Sequence, residues 1–346
     1  MNPVMFSLLI MTLATSTIIT MTSHHWLLAW LGLELNTLAM IPIINKSHHP
    51  RATEAATKYF LVQAISAALI LLASTINAWQ TGQWTILTTT STFATIILTL
   101  ALTMKLGLAP THFWYPEVIQ GSTITTALIL STWQKLAPLT LMYMTLHQLP
   151  TAIILLIGLT SALIGGWAGL NQTQMRKIMA FSSIAHMGWL MAAMTLNYNL
   201  TTLTLTIYIT MTTAMFTTLS HTMMKTLPDL GTSWTRNPTL LSMTMLTAMS
   251  LGGLPPMTGF TPKWLITKEL IEATLSPAAT MLILTSLPSL FFYIRLAYFT
   301  TLTTPPSNMN YKLTWRFKNH TPTELAPTLT LATLLLPITP IIYYTP

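Results

Sequence analysis

The stretch 91–116, STFATIILTLALTMKLGLAPTHFWYP, decides how the chain is read. It opens as an apolar run long enough to cross a bilayer, carries Lys105 within that run, and is then broken by Gly107 and Pro110. A lysine near the bilayer centre costs roughly 2.5 to 3.5 kcal/mol on insertion scales. Pro110 has no N–H and disfavours a helical conformation at Ala109 before it. Backbone groups freed at that depth are tolerated only against protein or in a wet cavity. The stretch therefore reads as a half-helix, a charge and a polar break inside a membrane, and such a break points to an ion path. The bland alternative is a proline kink with Lys105 snorkelling to an interface.

Composition agrees with a membrane setting. Of 346 residues, 52% are hydrophobic and only 6% are charged, far below the roughly 25% of a soluble domain. The net charge of +8 does not point to nucleic acid, because the basic residues are spread singly along the chain. The chain has no cysteine, which excludes a disulfide framework, a thiolate-held iron–sulfur cluster and a cysteine zinc site within it. Any redox chemistry must sit on a partner. The N-terminus lacks a basic n-region and a clear cleavage site, so it is expected to be the first span rather than a removable signal.

Apolar runs predict an all-α polytopic membrane protein with about eleven spans. They fall near 4–22, 25–45, 58–77, 91–108, 122–145, 150–170, 178–196, 199–223, 239–259, 277–302 and 325–343. The abundant threonines do not oppose this, since a threonine hydroxyl can bond a carbonyl one turn back. The longest polar connection is 303–324. Lys46, Arg51 and Lys58 follow the second span, Arg176 and Lys177 the sixth, Lys225 and Arg236 the eighth, and Lys312, Arg316 and Lys318 the tenth. With eleven spans all of these fall on one side, together with the N-terminus, and the C-terminus lies opposite. Arg295 and Lys268 are close enough to span ends to be interface anchors.

Lys105, Lys135 and Lys263 are not explained that way. Lys135 lies near the middle of span 122–145, one turn after Ser131, and should face the bundle interior. Glu34 stands at the centre of HWLLAWLGLELNTLAMIPIIN, where a buried carboxylate calls for a lysine partner from another span. His186 is also near mid-span, where a structural hydrogen bond and a proton relay are about equally good readings. A second broken span lies at 239–273, where Gly252, Gly253, Pro255, Pro256, Gly259 and Pro262 crowd together and Lys263 follows. Two broken spans, each with a lysine beside the break, resemble the paired discontinuous helices of inverted-repeat transporters. No residue-level internal repeat is visible beyond this.

Other patterns have plainer readings. Ser161, Gly165 and Gly169 form a small-residue stripe suited to close helix packing, and GGWAGL lacks the spacing of a nucleotide loop. His24 with His25 and His48 with His49 lack carboxylate or thiolate companions and fit polar interfaces better than metal. The sequons at Asn171, Asn199 and Asn319 are short patterns with many false positives.

Five segments carry a resemblance: HWLLAWLGLELN (25–36), HHPRATEAATKYFLVQA (48–64), KLGLAPTHFWYPEVIQG (105–121), GGWAGLNQTQMRKIMAFSSIAHMGW (165–189) and LGGLPPMTGFTPKW (251–264). Over essentially the whole chain they resemble the antiporter-like subunit family of mitochondrial NADH:ubiquinone oxidoreductase, respiratory complex I. The resemblance implies a single antiporter-like transmembrane domain over 1–346, with two inverted repeats and one broken helix in each. It departs from the family in having fewer spans. It implies the mitochondrial inner membrane, N-terminus in the matrix and C-terminus in the intermembrane space. NADH, FMN, iron–sulfur clusters and ubiquinone are expected on partner subunits, none in this chain, and the partners are other membrane-arm subunits, further antiporter-like subunits among them, and lipids. Glu34 and Lys105 correspond to a charge pair near the matrix side, Lys135 to a central-axis lysine, and Lys263 to a lysine of the second broken helix. His112 and His186 are plausible relays. The implied activity is proton translocation, with a stand-alone cation/proton antiporter and a purely structural arm subunit as rivals.

The charge asymmetry gives a direct test of topology. Because the native chain has no cysteine, cysteines replacing Arg51 and Arg316 should both react with an impermeant reagent from the matrix side. Labelling of the two from opposite sides contradicts the span count.

Overall fold

Asn2 starts the first helix. Its side-chain oxygen accepts the Val4 N–H at 3.2 Å and Pro3 fills the first turn, so α1 (Pro3–Thr22) opens with an orphan donor answered. The structure, a computed structural model, describes residues 2–233, 238–302 and 324–344. Arg236, Lys312, Arg316, Lys318, the Asn319 sequon, the connection 303–323 and the C-terminal residues 345–346 lie outside the described residues. Nδ1 of His25 accepts the Leu27 N–H ahead of α2 (Trp26–Ile44), and Nδ1 of His49 accepts the Arg51 N–H ahead of α3 (Pro50–Thr81), both at 3.2 Å. Those two histidines are helix caps.

The chain continues through α4 (Thr92–Leu106), α5 (Trp114–Gly121), α6 (Ile124–Ser131), α7 (Leu136–Thr145), α8 (Thr151–Gly169), α9 (Met175–Met194), α10 (Tyr198–Thr222) and α11 (Leu227–Ser233). It ends with α12 (Pro238–Gly252), α13 (Phe260–Glu272), α14 (Ser276–Leu302), α15 (Leu325–Leu334) and α16 (Thr339–Tyr344). Among the described residues there is no strand, only the isolated bridges His25–Thr85 and Gln174–Thr226. The chain divides into two compact units, Met1–Thr160 and Ser161–Pro346. In the first, α2, α4 and α5 pack on α3, while α1 packs on α2 and α7. In the second, α9, α12, α13, α15 and α16 all pack on α10.

Six helices among the described residues are long and apolar enough to cross a membrane, and the bent pair α15 and α16, at 66°, makes a seventh if counted as one span. This is a multi-pass membrane protein by composition and length. The threonines behave as expected: on α4, Thr95, Thr99 and Thr103 donate to carbonyls three residues back at 2.8, 2.8 and 2.9 Å. The small-residue stripe is a packing surface. A Cβ on Gly165 would fall 2.6 Å from the Ala185 nitrogen, and one on Gly169 2.9 Å from the Phe292 ring.

Both anticipated breaks are present, and they are the same turn. Gly107 (φ 72°) ends α4 and Gly253 (φ 79°) follows the end of α12. In each the N–H two residues past the helix reaches back five residues, Leu108 to the Thr103 carbonyl at 3.0 Å and Leu254 to the Met249 carbonyl at 3.4 Å. This is the Schellman closure, which satisfies helix-end carbonyls without water and needs a left-handed residue, hence glycine. Each turn reads Gly-Leu-X-Pro, with a cis X–Pro bond at Ala109–Pro110 and at Pro255–Pro256, and α5 and α13 restart at the same spacing. The same turn thus recurs at both breaks.

The span expected at 122–145 is not continuous. It is split into α6 and α7 by a single 3-10 turn, Trp133–Lys135. Two causes meet there. Ser131 and Thr132 hydroxyls both bond the Leu128 carbonyl, at 3.0 and 2.8 Å, and Pro138 has no N–H for the Gln134 carbonyl one turn back. Lys135 is thus at a third break, not in mid-helix.

The basic loops gather at common ends within each unit. Lys46 Nζ lies 4.3 Å over the Phe6 ring near the start of α1. In the second unit the Met175 N–H donates to the Lys225 carbonyl and the Leu227 N–H to the Thr173 carbonyl, both at 3.0 Å, so the connections carrying Arg176, Lys177 and Lys225 lie together. Asp229 fastens that end: its carboxylate accepts the Thr226 and Lys225 N–H groups at 2.8 and 3.0 Å, which holds its carboxyl below the usual carboxylate range.

Candidate functional site

The first unit brings Lys105 and Lys135 to one cavity. Lys105 lies in the last turn of α4. Lys135 ends the 3-10 turn that separates α6 from α7. Both are buried, at 7% and 2% exposure. The cavity they line has about 20 Å³ for the centres of water-sized molecules, enough for a water. Its polar walls are Asn36, Thr37, Tyr59, Gln63 and Gln134.

Lys105 Nζ makes a long bond of 3.5 Å to Gln63 Oε1. Lys135 Nζ stands 5.1 Å from the Tyr115 ring centre, within cation–π range. Gln134 donates to Asn36 Oδ1 at 2.9 Å and accepts from the Tyr59 hydroxyl at 3.4 Å. Glu34 is half-buried on α2 and sits within electrostatic reach of Lys105. The two are not in direct ion-pair contact. Glu34 Oε2 instead accepts the Thr37 hydroxyl at 3.1 Å, and Thr37 lines the cavity. His112 is buried within the break between α4 and α5, its ring 4.3 Å from that of Phe113, and is not among the cavity-lining residues.

In the second unit Lys263 comes from α13 and folds back across the break. Its Nζ donates to the Gly252 carbonyl at 2.8 Å, at the C-terminal end of α12, and lies 5.9 Å from the Trp189 ring centre. Lys263 thus sets its ammonium at the negative end of the first half-helix, while Lys105, from the last turn of its own half-helix, turns its amine to Gln63. His186, one turn before Trp189 on α9, lies 5.9 Å from the Tyr208 ring. Arg295 is more than an interface anchor: Nη1 donates to the Leu170 carbonyl at 2.8 Å, just beyond the end of α8.

A Lys58 bridge holds α5 to α3. Lys58 Nζ is 2.6 Å from Glu54 and 2.5 Å from Glu117 of α5, which clamps the segment beyond the first break. Sequence reasoning passed over Asn36, Tyr59, Gln63 and Gln134. The available signal was that such polar side chains in apolar spans require partners.

The family comparison follows the same segments. Residues 23–291 match the family described as NADH:quinone oxidoreductase/Mrp antiporter, TM, and residues 290–343 match NADH dehydrogenase subunit 2 C-terminus. The NADH-ubiquinone oxidoreductase chain 2 of Xenopus laevis is 51% identical over 342 residues, covering 99% of each protein. The chain of that name in Varanus nebulosus is 53% identical over 341 residues, covering 98% of this chain and 99% of its own.

The chain belongs to the NADH-ubiquinone oxidoreductase chain 2 family.

In fold, this family member is similar to a chain in a structure of respiratory complex I from Thermus thermophilus with bound aureothin. The TM-score is 0.85 at 25% identity, covering 99% of this chain and 79% of that one. A chain of the Mrp complex from Dietzia sp. DQ12-45-1b shares the fold alone, with a TM-score of 0.80 at 15% identity, covering 97% and 75%.

Gly253 is a sensitive point of the second break. A Cβ there would lie 2.9 Å from Lys263 Nζ and would occupy a left-handed backbone, whereas at Gly252 the nearest atom is 3.5 Å away. Gly253→Ala is expected to cost about 1 to 3 kcal/mol and Gly252→Ala clearly less. Thermal unfolding of the native assembly carrying each variant measures this, and equal losses would show that neither the contact nor the backbone angle fixes Gly253.

Proposed function

We propose that the chain is a proton-translocating core subunit of the membrane arm of NADH:ubiquinone oxidoreductase, moving protons from the matrix to the intermembrane space. It does so through buried residues: Glu34 and Lys105 load the path, Lys135 hands over, and Lys263 stands near the exit, with His112 and His186 as relays. The observation that carries this reading is the cavity lined by Lys105 and Lys135, two lysine side chains at helix breaks with polar walls and room for water.

Glu34 supplies the bias. A buried ammonium keeps its proton while a carboxylate's field is near and releases it when that field is withdrawn. Moving one charge against the membrane potential costs about 2.3 kcal/mol per 100 mV. A change of one or two pKa units, at about 1.36 kcal/mol each, matches that scale. Glu34 acts at a distance, with Thr37 on its carboxylate, and so can be moved without breaking a direct ion pair to Lys105.

The same reading takes residues 1–346 as a single antiporter-like transmembrane domain of about eleven spans, counting the shorter and split helices. The repeated Gly-Leu-X-Pro turn supports two inverted repeats with one broken helix in each. The loops carrying Lys46, Arg51, Arg176 and Lys225 face the matrix with the N-terminus, and the C-terminus faces the intermembrane space. NADH, FMN, iron–sulfur clusters and ubiquinone belong to partner subunits. The nearest partners are further antiporter-like subunits of the arm and membrane lipids.

Lys135→Met keeps much of the side-chain volume and removes the charge. The assembled enzyme with this change is expected to pump fewer protons per electron pair. Lys135→Arg, whose guanidinium does not release its proton, should pump poorly as well. Proton-to-electron stoichiometry in proteoliposomes is the measurement, and normal stoichiometry in assembled Lys135→Met removes Lys135 from the path.

A further inference from the structure

Gln134 lines the same cavity as Lys105 and Lys135. It occupies the 3-10 turn immediately before Lys135, and its carboxamide spans two other helices. Nε2 donates to Asn36 Oδ1 on α2 at 2.9 Å, and Oε1 accepts from the Tyr59 hydroxyl on α3 at 3.4 Å. Both holders are fully packed, Asn36 at 3% and Tyr59 at 2% exposure. One turn beyond Tyr59 on the same helix, Gln63 takes the bond from Lys105. All of these line the one small cavity.

We propose that Gln134 is a positioning residue that insulates Lys105 from Lys135, and that its release from Tyr59 opens the crossing. The inference rests on the proton-translocating reading above. A water passes a proton because its oxygen accepts one while releasing another. A carboxamide is too weak an acid at its N–H and too weak a base at its oxygen to relay a proton this way at neutral pH, so one committed at both ends occupies the space of a connecting water without conducting. When Gln134 swings away, water completes the chain. A proton then leaves the Lys105 ammonium for water, and a proton from that water reaches the neutral Lys135 amine, leaving the first neutral and the second charged. The break four residues before Pro138 gives the turn its freedom, because the Gln134 carbonyl has no helical N–H from Pro138 to hold it.

The test uses the complete enzyme in proteoliposomes, with passive proton back-flow measured without NADH and stoichiometry measured during turnover. Gln134→Ala removes both bonds and opens space, and should raise back-flow roughly five- to tenfold while lowering stoichiometry. Gln134→Met fills the space with apolar atoms, and should leave back-flow at the wild-type level while stoichiometry falls. Tyr59→Phe removes one hold and should raise back-flow by a smaller factor; it keeps the inference testable if Gln134→Ala does not assemble. A merely structural Gln134 would change assembly but leave the back-flow of the assembled fraction alone. Wild-type back-flow in Gln134→Ala or Tyr59→Phe, or equal back-flow in the Ala and Met variants, overturns the inference. Lys135→Met is measured beside them. If it pumps normally, the translocation reading falls and the inference with it; if it pumps poorly while Gln134→Ala stays tight, only the insulating role falls.

Discussion

A helix broken at membrane depth must still satisfy its backbone, and the rest of the structure depends on how that is done. Each released carbonyl left bare would cost several kcal/mol in hydrocarbon. Here Gly107 and Gly253 close the helix ends by reaching back with the following N–H groups, and Lys263 adds a bond to the Gly252 carbonyl. The solution also creates function. A helix end carries partial negative charge, and an ammonium placed there is stabilised without a carboxylate in contact. Lys263 occupies such a position at the end of α12, whereas Lys105, set in the last turn of α4, turns its amine to Gln63 of α3.

The two breaks share a turn but not a lysine. Lys105 precedes its glycine, while Lys263 follows, reaching back from the next helix. At the spacing after Gly107 that Lys263 has after Gly253 stands Glu117, and it is bound to Lys58. The first unit thus fixes the distal half of its broken helix by a surface ion pair. The second fixes its own with the buried-side lysine. The same turn carries different charged groups, as expected when backbone geometry and site chemistry vary separately.

Much of this was legible in the residues, and the exceptions have physical causes. Gly107, Pro110 and the cluster from Gly252 to Pro262 announced the breaks because glycine and proline act locally. The split at Trp133–Lys135 was hidden because its causes, paired hydroxyls on the Leu128 carbonyl and a proline one turn downstream, are each tolerated in continuous helices. The spacing of the Glu34 and Lys105 charge pair was not legible, because a sequence shows sign and depth but not distance. Gln63 and Gln134 went unnoticed because neutral amides raise no alarm in a scan for charge. The shared turn escaped notice because, over the stretch from Gly107 to Glu117, only a glycine, a leucine and two prolines coincide, and it is the hydrogen bonding of the turn that makes the two segments equivalent.

The central claim is that the buried lysines communicate through a wet polar cavity rather than through fixed ion pairs. A high-resolution map of the assembled enzyme, sharp enough to place solvent, tests this most directly. At least one ordered water is expected in the cavity, bonded to Gln63, Gln134 or a lysine amine, with Glu34 out of contact with Lys105. A dry cavity with Lys105 and Lys135 each locked to a carboxylate would contradict it.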